Sequence, residues 1–113
     1  MRRRPHRRPA GPVTCLTVFV GRELWHHRPV VHEIVRRAHR AGLSGTSVLP
    51  SVEGFGETGR IHELGRLGLA EGTGYVVVVV DTEERVRAFL PDLDGLVTGG
   101  LITLEPVEVV ERR

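Results

Sequence analysis

Tyr75-Val76-Val77-Val78-Val79-Val80-Asp81-Thr82-Glu83-Glu84 contains a whole strand-to-helix junction. The run from Tyr75 to Val80 is β-branched or aromatic throughout and shows no polar alternation, so it reads as a strand with apolar surroundings on both faces. Asp81-Thr82 supplies side-chain oxygens suited to an N-cap, and Glu83 and Glu84 put negative charge at the positive end of the helix dipole. The helix that follows carries Val86, Phe89, Leu90, Leu93, Leu96 and Val97 on one face. Pro91 removes one helical hydrogen bond and predicts a kink. Gly99-Gly100 is expected to end the helix, ahead of final strands Leu101–Leu104 and Val107–Val110 divided at Pro106.

Upstream, the same order is already present. Cys15–Val20 is an apolar, β-branched run closed by Gly21, which predicts a first strand. A polar connection holding Trp25-His26-His27 leads to Pro29, well placed at the start of a helix. Val30, Val31, Ile34, Val35, Ala38 and Ala41 recur at helical spacing, and Gly42 suits the C-terminal cap. Glu33, Arg36, Arg37 and Arg40 then make an opposite, solvated stripe. Thr46–Phe55 reads as a second strand with Pro50 inside it, which assigns it to a sheet edge or a bulge.

The order is β-α-β, loop, β-α-β. The halves also echo in letters: Gly42-Leu43 precedes Ser47-Val48-Leu49-Pro50-Ser51-Val52-Glu53, and Gly100-Leu101 precedes Thr103-Leu104-Glu105-Pro106-Val107-Glu108. Two split β-α-β units in tandem predict an α+β fold, the ferredoxin-like βαββαβ sandwich, with two helices on one face of a four-stranded antiparallel sheet. With helices on one face only, the apolar second face of Tyr75–Val80 needs another cover. The economical cover is a second copy of the chain, so an oligomer is expected.

With 113 residues, 40% hydrophobic and 27% charged, the chain fits one globular domain. A basic tail, residues 1–12, precedes the domain at 13–113. The tail holds five of the 16 arginines and no acid, and without it the net charge of +2 becomes −3. Three readings of it stay open: a disordered extension, an arm for nucleic acid or an acidic surface, or a start site misplaced upstream of Val13. An acidic body gives no reason to expect nucleic-acid binding. No apolar run approaches the ~20 residues of a membrane-spanning helix, so no membrane insertion is expected. The lone Cys15 excludes an internal disulfide and fits the cytoplasm.

Half of the 14 glycines fall in the connection Gly54–Gly74. It has no apolar period long enough for a core element, and a loop of this length in a small domain usually has a function. Gly54-Phe55-Gly56 gives backbone freedom, and Arg60 with His62 can hold an anion by guanidinium fork and ring N–H. The alternative reading packs Phe55 at a subunit seam and leaves Arg60 and His62 solvated.

Taken together, several motifs resemble a bacterial family of unknown function, DUF190. They are Leu16-Thr17-Val18-Phe19-Val20-Gly21 with Trp25-His26 and Pro29; Gly42-Leu43 with Thr46-Ser47-Val48-Leu49; Gly54-Phe55-Gly56 with Arg60-Ile61-His62; Ala88-Phe89-Leu90-Pro91-Asp92-Leu93-Asp94; and Gly100-Leu101-Ile102-Thr103-Leu104-Glu105. That family resembles the PII signalling proteins in fold. The resemblance implies a homotrimer that binds an adenine nucleotide between subunits and reports it to a protein partner through the loop 54–74. It also matches Gly99 and Gly100 to a phosphate-holding turn. No arginine or lysine follows that pair, so phosphate charge would fall to Arg60, Arg66 or Arg112-Arg113.

Two other functions stand beside this regulatory one. The first is a ligand-free interaction module, with a membrane transporter such as a fluoride channel among its conceivable partners. The second is a metal-tolerance trimer of similar fold, to which His26, His27, His32, His39 or His62 would contribute. His32 and His39 lie seven apart, about 10 Å along a helix, too far for one ion, and no metal site is assigned. No nucleophile or acid–base pair has recognisable spacing, so no catalytic residue and no enzyme activity is expected.

Overall fold

β-Branched runs and two amphipathic stretches generate a four-stranded sheet with both helices against one face. The computed structural model describes residues 11–51, 53–55, 61–63 and 74–112. In chain order the elements are β1 (Val13–Val20), β2 (Leu24–Trp25), β3 (Arg28–Pro29), α1 (Val30–Arg40), β4 (Thr46–Pro50), β5 (Glu53–Phe55), β6 (Ile61–Glu63), β7 (Tyr75–Thr82), α2 (Glu83–Leu93) and β8 (Leu101–Val107). The main sheet runs β4-β7-β1-β8, every pair antiparallel. This is the ferredoxin-like α+β order expected from the sequence.

Leu16, Val18 and Val20 of β1 and Val77 and Val79 of β7 meet Val30, Val31, Ile34 and Ala38 of α1 and Val86, Phe89 and Leu93 of α2 in one dry core. The other face of the sheet stays open. Register places Thr17 opposite Val78 and Phe19 opposite Val76, with Ser47 and Leu49 flanking on β4 and Leu101 and Thr103 on β8. Phe19 is 42% exposed, Leu49 51% and Leu101 58%. The apolar second face inferred from Tyr75–Val80 is therefore present, and no described residue covers it.

Caps account for the helix ends. In α1, Gly42 at φ +75° lets its N–H reach the His39 carbonyl while the Leu43 N–H reaches that of Ala38, a Schellman closure. Pro29 is its N-cap and has no side-chain acceptor, but the Glu23 backbone carbonyl accepts from the Val30 N–H. In α2 the Thr82 hydroxyl accepts from Arg85 N–H. Asp81, 1% exposed, accepts from the N–H of both Ser44 and Thr82, tying the α1–β4 turn to the start of α2.

Three expectations are corrected. The segment 46–55 is not one strand: β4 stops at Pro50, and 53–55 pairs instead with 61–63. The C-terminal strand is not divided at Pro106, because β8 is an edge and can carry a proline without losing its ladder to β1. The helix α2 ends earlier than Gly99-Gly100, at Asp94 and Gly95, the latter at φ +79°. Leu96 and Val97 thus lie in the turn beyond the helix, where they still pack on the core. Among the described residues no helix is long and apolar enough to cross a membrane.

Candidate functional site

Four segments converge at one end of the sheet. β4 and β1 run out there at Pro50 and Val20, and β7 and β8 start there at Tyr75 and Leu101. The loop 54–74 therefore springs from the same end as the Gly99-Gly100 turn. The Ser51 N–H donates to the Gly74 carbonyl and closes the loop's base. The two glycines that lead into β7 and β8 press on the end of β1 from either side. A β-carbon on Gly74 would collide with the Val20 carbonyl, and one on Gly100 with the Phe19 carbonyl.

Within the loop, the structure brings Gly54 opposite His62 and Phe55 opposite Ile61 in the β5–β6 ladder. The connection is thus not irregular throughout, as its glycine content implied, but carries a short hairpin. Gly56 and Arg60 lie outside the described residues, as do Arg66 and the tail 1–10. Gly99 is exposed beside Gly100.

A second concavity was not foreseen. The β2–β3 hairpin folds over α1 and, with α2, forms a groove of 510 Å³ lined by Trp25, Glu33, Arg36, Arg37, Arg40, Ala41 and Asp92. The stripe read as solvated is in fact organised around Glu33, which is only 4% exposed. Arg37 Nε donates to Glu33 Oε2 at 2.8 Å, and Arg40 stands 3.5 Å from the same oxygen. The Arg37 guanidinium also lies 5.0 Å from the Trp25 ring centroid and donates to the Asp92 carbonyl. Trp25 is thereby tied to the first helix through Arg37. The i,i+4 spacing of Glu33 and Arg37 was the available signal.

The hairpin turn is strained. His26 and His27 have φ of +50° and +67°, where glycine or asparagine is the relaxed choice for a two-residue turn. The His26 ring packs edge-on against Trp25 at 4.3 Å. Among the described residues no group of three His, Cys, Asp or Glu is placed to hold a metal.

The hydrogen bond from Arg37, aided by the charges of Arg37, Arg36 and Arg40 and opposed by burial, holds the Glu33 carboxyl below its ordinary value of 4.5. A lowered folded-state pKa means that this contribution to stability is complete above the ordinary value. It is lost as pH falls through the folded value. Thermal melts between neutral and acid pH should show a steeper loss in the wild type than in Glu33→Gln; parallel curves would remove Glu33 from the acid response.

The sheet order and the paired helices define a ferredoxin-like α+β domain. Residues 13–109 match DUF190, described as "Uncharacterized ACR", and the chain belongs to that family. It is 34% identical over 88 residues to a UPF0166 protein of Aquifex aeolicus (strain VF5), spanning 78% of this chain and 83% of that one. Its fold is similar to that of CPII, a nitrogen regulatory PII-like protein from Thiomonas intermedia K12, bound to ADP, AMP and bicarbonate. There the TM-score is 0.59 at 17% identity, over 87% of this chain and 88% of the other. CPII bound to ADP and bicarbonate gives 0.57 at 16% identity over the same shares.

Proposed function

We propose that this protein is a PII-like regulator, a cytoplasmic homotrimer that binds a small anionic ligand where the loop 54–74 meets the Gly99-Gly100 turn. An adenine nucleotide is the first candidate. The observation that carries the reading is the convergence of the loop base and the Gly100 turn on the end of β1. The nucleotides bound to CPII support the choice of ligand class. In this reading the protein acts by binding and not by catalysis, and residues 13–113 are the acting unit.

The chemistry follows from the residues. A glycine turn offers backbone N–H groups to phosphate oxygens with no side chain in the way. No cation follows Gly99-Gly100, so Arg60 supplies charge from the loop and His62 adds a ring N–H. Closure of the loop over the ligand then changes the surface shown to a protein partner. The open sheet face supports assembly, since three copies can bury it against one another.

Calorimetry against ATP, ADP, AMP and cyclic nucleotides, each with and without bicarbonate, tests this. One nucleotide should saturate the protein, and Arg60→Ala should weaken it by about 1.5–3 kcal/mol, the worth of a charge-assisted hydrogen bond. Absence of heat with every nucleotide, and unchanged proteolysis near Arg60 and Arg66, would leave the loop as a partner-binding arm.

A further inference from the structure

We propose that the outer face of α1, together with the Trp25 hairpin, is a docking surface for an acidic stretch of a partner protein. None of the residues lining this groove is among those proposed to hold the nucleotide, so the surface is distinct from that reading.

Charge distribution is the first argument. Every exposed position of α1 is His or Arg: His32, Arg36, His39 and Arg40. The helix's one acid, Glu33, is buried and already engaged by Arg37 and Arg40. Arg28 is exposed on the hairpin, and among the described residues neither Arg28 nor Arg36 has a hydrogen bond or ion pair. Basic side chains at four-residue spacing on one helix repel one another, and here they do so on a domain whose net charge is −3 without residues 1–12. An arrangement of that kind steers and holds an acidic partner.

Shape is the second. The groove beside the row opens outward and has Trp25 as its aromatic wall with Arg36, Arg37 and Arg40 around it; of its two acids, Glu33 is already paired with arginine, and Asp92 stands on the α2 side, away from the exposed row of α1. Tryptophan and arginine are the residue types that dominate binding energy at protein interfaces. The turn His26-His27, held at positive φ, fixes the hairpin that presents Trp25, and local strain of this sort gathers at binding sites.

Length chooses the occupant. From His32 to Arg40 the helical rise gives about 12 Å, more than one phosphate or carboxylate can bridge and about four residues of extended chain. A nucleic-acid duplex is also drawn to basic side chains, but four cationic positions on one helix make a short row, and the domain beyond residues 1–12 carries a net charge of −3 that repels a large polyanion. An acidic peptide needs only the width of the row.

Trp25 is the sole tryptophan, so its emission reports this groove alone. The probe is a fluorescein-labelled decapeptide of glutamate and aspartate with one central leucine. The full-length protein should bind it saturably, shift Trp25 emission, and lose roughly tenfold in affinity as NaCl rises from about 50 to about 300 mM. The arginines of residues 1–12 can attract the same peptide, so the decisive comparison is with Arg36→Gln/Arg40→Gln, which removes the exposed charge without setting a second carboxylate beside Glu33. That variant should lose the emission shift and at least about tenfold in affinity, with unchanged circular dichroism and unchanged nucleotide calorimetry. Equal binding by the variant would overturn the proposal. So would a shift of Trp25 emission by inorganic pyrophosphate, a DNA duplex or phosphatidylserine vesicles at concentrations where the peptide gives none.

Discussion

Aspartate in place of Val77 is expected to abolish folding, whereas aspartate one residue later, at Val78, is expected to give a folded monomer. Val77 is fully buried under the helices. An unpaired carboxylate there costs about 3–5 kcal/mol or more, a large share of the 5–15 kcal/mol that holds a typical domain together. Val78 points to the open face, between Thr17 and Ser47, where water can still solvate a charge in the monomer. In a trimer closed over that face the same carboxylate would be stranded. Circular dichroism should therefore separate Val77→Asp from the wild type, and light scattering should separate Val78→Asp. The wild type should weigh about three times its 12.5 kDa chain. A Val78→Asp protein that keeps the wild-type mass would sink assembly through this face.

The second large effect is expected at Gly74 and Gly100. At both, the obstacle to a β-carbon is backbone of β1, which cannot swing aside as a side chain tip can. Alanine at either site forces β1 away from β7 or β8 and should lower stability by roughly 1–3 kcal/mol or more, as overpacking does. Gly95→Ala meets open space and suffers only from its φ of +79°, so it should cost less, about 1–2 kcal/mol. Urea titrations of the three variants give the order directly. If Gly100→Ala matches the wild type, the turn is looser than its contact with Phe19 implies, and a phosphate-holding role becomes the better reason for glycine there.

That ambiguity shows where sequence reading stops. The Tyr75–Val80 strand, the Asp81-Thr82 cap after it and the amphipathic helices were legible because period and capping are local properties. They also carried the sheet order and the uncovered face. Gly42 and Gly100 look equivalent in the repeated letters of the two halves, yet Gly42 is needed for its left-handed backbone and Gly100 for its closeness to Phe19. Glu33 looked solvated because nothing local reveals that a hairpin some residues upstream will fold over it. Pro106 looked like a break because a proline's tolerance depends on whether its strand is an edge. Each of these rests on contacts distant in sequence. The same holds for the candidate site, where the meeting of loop and turn follows from topology and the chemistry of Arg60 lies outside the described residues.

The position of β1 has a consequence for how the chain reaches its native state. Its neighbours on either side are β7 and β8, so Val13 pairs with Thr82 and with Val107. The second of those partners is roughly ninety residues away, and closing loops of that length slows folding toward the millisecond-to-second range. On the ribosome, β1 emerges first and must wait for almost the whole chain before its second edge is satisfied. Until then an apolar, unpaired strand is open to wrong partners, including β1 of another nascent chain. The last strand of this sheet to be made is therefore the one that ends the exposure of the first.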